Sequence, residues 1–133
     1  MLVLWNRGAE GLITDETSAP HGIMSLPQLT TALASAGAVD VIDFDMCLMG
    51  GYETLAAVQK YALAVVASEE TEPGDGEDYT GMLKAMNAAP TGDAAALFAS
   101  SAAPRPFVKQ IPTLIILERQ PRLRLRTSPR GIW

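Results

Sequence analysis

Residues 39 to 51 constrain the fold more than any other stretch of this chain. Val39-Asp-Val-Ile-Asp-Phe is apolar and β-branched at alternate and adjacent positions, the pattern of a strand buried on both faces of a parallel sheet. It runs into Asp45-Met46-Cys47, where Cys47 is the only cysteine, then Gly50-Gly51, after which Tyr52 to Tyr61 reads as a helix. Ligands of open α/β sheets sit at the carboxyl ends of strands. A strand that delivers an acid and a thiol there, then turns into a helix, is an active-site layout. A second reading stays open on these residues alone, because a lone cysteine is commonly a small buried hydrophobe.

The flanking chain supplies the rest of an α/β unit. Leu2-Val-Leu-Trp reads as a short buried strand, closed by Asn6-Arg7-Gly8. Residues 9 to 24 cluster Gly, Pro, Thr, Ser and Asp and are expected to be a loop. Ser25 and Pro27 then mark a helix start, Leu29, Ala32, Leu33 and Ala36 fall at helical spacing, and Gly37 closes the helix. This β-loop-α-β order predicts parallel strands with a right-handed crossover. Ala62-Leu-Ala-Val-Val-Ala is the next buried strand, followed by six acids among residues 69 to 78. Two amphipathic helices are expected at Tyr79–Met86 and Gly92–Ser101, with no chemistry in either.

Three blocks in order carry a family resemblance. They are Leu2-Val-Leu-Trp-Asn-Arg-Gly with Asp15-Glu-Thr-Ser, then Phe44-Asp-Met-Cys-Leu-Met-Gly-Gly-Tyr-Glu, then Val66-Ala-Ser-Glu-Glu-Thr-Glu-Pro-Gly. Together they resemble the clostripain family of cysteine peptidases over residues 1 to 104. The resemblance implies a three-layer caspase/gingipain-like α/β sandwich with a mostly parallel sheet, and cleavage after Arg or Lys by a Cys/His dyad. The sandwich is expected to be incomplete, with strands missing at the amino-terminus and an aberrant carboxyl-terminus. The partners implied are peptide or protein substrates with Arg or Lys, and the missing remainder of the domain itself.

Carried over residue by residue, the resemblance makes Cys47 the nucleophile and Gly8 an oxyanion donor through its backbone N–H. Asp45 and Asp75 become the acids that bind the substrate's basic side chain. Asp45 has an alternative reading as a cap of the following helix. Where the family carries its histidine this chain has Arg7. Arginine stays protonated at any accessible pH and cannot accept a proton. The chain is therefore expected to be inactive or nearly so. His21, the only histidine, stands between Pro20 and Gly22; as a replacement base it would need an anchor that its loop does not display. Two alternatives to a disabled peptidase are a non-catalytic module binding basic peptides through the acidic pocket, and a fragment without function.

Charge divides the chain sharply. The first 104 residues hold 3 basic and 14 acidic side chains, whereas residues 105 to 133 hold 7 basic and 1 acidic. A basic tail can bind nucleic acid, and Leu123-Arg-Leu-Arg alternates as an amphipathic strand would. The preferred reading is a tail that is disordered or read in a shifted frame, with no nucleic-acid or membrane partner. One cysteine and one histidine cannot assemble an ordinary zinc site, and no cofactor is expected. No apolar run reaches 18 residues, and Met1-Leu-Val-Leu-Trp lacks the charged start and apolar length of a signal peptide. Relatives in the family are often exported, and nothing in this stretch records export.

Overall fold

The computed structural model describes residues 1–89, apart from Glu16, Ala19, His21, Pro73 and Asp75, together with the backbone of 116–118 and 125–126. The expected helix at Gly92–Ser101 lies outside the described residues, as do His21 and Asp75.

The organising strand forms where its composition demands. It is β5 (Val39–Asp45), preceded by β1 (Leu2–Trp5), β2 (Arg7–Ala9), β3 (Leu12–Asp15), β4 (Gly22–Ser25) and α1 (Leu26–Ala36). After it come α2 (Tyr52–Val58), β6 (Ala62–Val66), α3 (Tyr79–Ala88), β7 (Ile116–Glu118) and β8 (Leu125–Arg126). One sheet has the order β1-β5-β6-β7-β8. β5 runs parallel to both β1 and β6, and β7 and β8 add antiparallel strands beyond β6.

Alternation along β5 sorts its side chains between two layers. Ile42, Phe44 and Met46 face α1 and α2, packing with Leu29, Leu33, Leu55, Val58 and Val65. Val41 faces α3 with Ala64, Val66 and Met82. Helices on both faces of the sheet make three layers. Fully burying each of these larger side chains stabilises the fold by roughly 1.5–3 kcal/mol before conformational entropy is counted. α1 buries only Leu29 and Leu33, so the alanines of its predicted stripe stay exposed. Its entry is fixed by Gln28 Oε1, which accepts from the Ser25 N–H at 2.8 Å and the Ser25 hydroxyl at 2.9 Å.

The expected loop at residues 9 to 24 is instead largely sheet. β2, β3 and β4 form an antiparallel three-stranded meander. A two-residue turn joins Ala9 to Leu12, and both turn residues have positive φ, Glu10 at 45° and Gly11 at 87°. That backbone matches the twist of hairpin strands, which is why such turns nucleate them. At the end of β3, Asp15 Oδ1 accepts from the Thr17 and Ser18 N–H groups, both at 3.0 Å. Hydrogen bonds from Ser18 and Thr17 hold the Asp15 carboxyl well below the usual carboxylate range.

Candidate active site

Every candidate side chain in the described residues lies at the carboxyl end of the parallel strands. Trp5 and Asp45 are register partners at the ends of β1 and β5. The chain leaving β1 enters β2 and lays Gly8 directly against the turn after β5. A Cβ on Gly8 would overlap the Cys47 carbonyl oxygen and stand 2.8 Å from Met49 Cγ and 3.0 Å from Met46 Cγ. Only glycine fits there. Gly8→Ala is expected to cost about 2–3 kcal/mol of stability through overpacking, read from the midpoint shift in urea; an unshifted midpoint would show that the turn yields freely.

Cys47 is a free, half-buried thiol. Its turn is locked to the segment after β6 by backbone hydrogen bonds, Leu48 N–H to the Glu70 carbonyl at 3.0 Å and Gly50 N–H to the Ser68 carbonyl at 2.7 Å. The Glu72 N–H donates to Cys47 Sγ at 3.2 Å. The thiol points back toward the Glu72 carbonyl at 3.9 Å. Leu48, immediately after the cysteine, has φ of +57°, a left-handed conformation that costs a branched residue about 1–2 kcal/mol. A half-exposed thiol held on a tight turn can act as a nucleophile once a base is available. The helix after it starts at Gly51, with no side-chain cap.

Arg7 is exposed on β2, opposite Thr14, whose hydroxyl donates to the Arg7 carbonyl at 3.3 Å. It is one residue from Gly8, and so close to the cysteine turn in the chain path. Its own N–H is taken by Asn6 Oδ1 at 2.8 Å.

Asp45 does not cap the following helix. It is 2% exposed and reaches the opposite face of the sheet, toward the start of α3. Its Oδ2 accepts from the Glu77 N–H at 3.0 Å and from the Tyr79 hydroxyl. Gly76, at φ +69°, allows this approach, since a Cβ there would come within 2.7 Å of Oδ2 and 3.3 Å of Trp5 Nε1. Burial, then the bond to Asp45, raises the Tyr79 phenol far above its ordinary value, so Tyr79 remains a donor at all working pH. Tyr79→Phe should lower stability by about 1–2 kcal/mol, the worth of a hydrogen bond to a charged group, measured by urea unfolding; no change would show that the Glu77 N–H alone holds Asp45.

Sequence reasoning passed over Asp43. It is fully buried, and neither of its carboxyl oxygens has a hydrogen-bond partner. Burial, followed by the negative charges of Glu77 and Asp45, pushes its pKa up to about 8. Glu77 stands close by and contributes to that rise. The signal was present in the strand's period of two, which puts Asp43 on the face of Asp45. Among the described residues no group of three or more His, Cys, Asp or Glu is arranged to hold a metal ion, and no helix is long and apolar enough to cross a membrane.

Comparisons with known proteins bear on the fold and the family. A search of curated proteins gives no match. The similar solved structures include three proteases. A secreted C11 cysteine protease from Bacteroides thetaiotaomicron, bound to an irreversible peptide inhibitor, has a TM-score of 0.71 at 20% identity, over 87% of this chain and 38% of its own. A cysteine protease of B. fragilis has a TM-score of 0.55 at 28% identity, over 65% and 33%. A clostripain from B. thetaiotaomicron, bound to a peptide inhibitor, has a TM-score of 0.58 at 16% identity, over 77% and 45%. This chain thus spans less than half the length of each. The model of the clostripain family matches residues 1–106. With four-fifths of its length matched, the chain belongs to the clostripain family of cysteine peptidases.

Proposed function

We propose that this chain carries the thiol half of a peptidase site selective for Arg or Lys, and that Arg7 leaves it without turnover. The observation that carries the reading is the junction of Gly8 with the Cys47 turn. In this reading Cys47 attacks the scissile carbonyl, and the N–H groups of Gly8 and Cys47 receive the developing oxyanion. The register supports Gly8. Pairs alternate along an antiparallel ladder, and Ala9–Leu12 closes the hairpin, so the Gly8 N–H turns away from β3.

Asp45 supplies the negative charge for a basic side chain. Its Oδ2 is held by Glu77 and Tyr79, which fixes the carboxylate before substrate arrives. Asp75 is proposed as the second acid from its sequence position alone. Arg7 cannot serve as acid and base in place of the histidine. An amide leaving group departs as an amine and needs a proton, so an arginine at this position stops the reaction after binding. The proposed partners are accordingly peptides with Arg or Lys.

Covalent labelling tests both halves of the reading. Acyloxymethyl ketones with arginyl or glutamyl side chains would be incubated with the intact chain and with its Cys47→Ala variant, alongside a fluorogenic arginyl amide. The arginyl reagent should label Cys47 at least tenfold faster, with no amide turnover above the variant. Equal labelling by both reagents would remove the specificity, and turnover dependent on Cys47 would remove the inactivity.

A further inference from the structure

Asp43 is a buried acid that the scheme above does not use. It sits one β-repeat below Asp45 on the same face of β5, 0% exposed, with both oxygens unpartnered. Its strand neighbours are Val3 on β1 and Val66 on β6, and those strands carry no charged side chain. Among the described residues, the titratable groups that face it are Asp45 on its own strand, Glu72 and Glu77 from the loop after β6, and Tyr79 at the start of α3, acids and a phenol. Immediately above, Asp45 Oδ2 is occupied while no described group bonds its Oδ1.

Resting on the proposed selectivity for basic side chains, we infer that Asp43 is a further, deeper carboxyl of that pocket, protonated while it is empty and ionised when a guanidinium or ammonium occupies it. Each basic side chain bound then releases a proton. The physical reason is reciprocal. A buried carboxylate without a partner is disfavoured, which agrees with the raised pKa of the empty site. An opposite charge within about 4–6 Å lowers an acid's pKa by about 1–3 units, so a cation lying on Asp45 draws the Asp43 proton off. By the same linkage, removing that proton tightens the cation. Affinity for an arginyl peptide should rise with pH up to the empty-site value near 8, by at most tenfold per pH unit, and level off beyond it.

The test is calorimetric titration of the intact chain with a capped arginyl peptide that has no other ionisable group. It is run at about pH 6 and about pH 8, each in two buffers of different ionisation enthalpy. The expected result is about tenfold tighter binding at the higher pH, with up to one proton released per peptide. Asp43→Asn should keep binding but flatten the pH dependence and abolish proton release. The proton count needs no variant, so the test stands on the intact chain alone. Equal affinity at both pH values without proton release, while Asp45→Asn still weakens binding, would overturn the role of Asp43 and leave the pocket standing. No binding, or equal binding to Asp45→Asn, would remove the pocket reading and this inference together.

Discussion

Arg7→His should raise hydrolysis of an arginyl amide by about 10²- to 10⁴-fold over the unmodified chain, the usual worth of a positioned acid-base group. Most of the surrounding site is already built. Gly8 abuts the Cys47 carbonyl, the Glu72 N–H reaches Sγ at 3.2 Å, and Asp45 is held from two sides. What arginine lacks is the neutral form. Histidine changes charge near neutral pH, so one side chain can take the thiol proton and later give it to the departing amine. The assay compares the unmodified chain, Arg7→His, Cys47→Ala and the double variant. Activity should appear only in Arg7→His and rise with pH as the imidazole loses its proton near pH 6–7. An Arg7→His protein that unfolds cooperatively yet hydrolyses nothing would sink the idea that one residue disables this site.

The contrast between what the residues announced and what they concealed has physical causes. β5 was legible because a β-branched, apolar run next to a Gly-Gly turn has few other solutions. α1 was legible at its ends because Ser25, Gln28 and Pro27 act through bonds three residues long. The meander was concealed because its hairpin turns on Glu10-Gly11 and not on the Asn-Gly or Asp-Gly pair that favours such turns. The clamp on Asp45 was out of reach for a different reason. Tyr79 lies 34 residues away, and nothing in local spacing joins an α3 residue to a β5 carboxylate. Cys47 and Gly8 fall between these cases. Residue type and order suggested their roles, but their meeting depends on the chain returning from β1 beside the end of β5.

Asp43→Asn should stabilise the folded chain by about 2–4 kcal/mol at pH 7, an unusual gain for a core substitution. The direction follows from proton counting. In the unfolded chain an aspartate loses its proton at about pH 3.9. In the fold, burial and then the charges of Glu77 and Asp45 hold that proton until about pH 8. Between these values the folded state binds more protons than the unfolded one, so Asp43 makes stability fall as pH rises. The loss begins near pH 4, accumulates to about pH 8 and is constant above it. Asparagine has nearly the same shape, is neutral throughout, and carries none of this dependence. The two proteins should therefore match within about 1 kcal/mol at pH 4 and diverge steadily to pH 8. Urea unfolding across that range measures the divergence directly. A constant difference at all pH values would mean that Asp43 keeps an ordinary pKa in the fold, and would require a partner for its carboxylate among the residues that surround it.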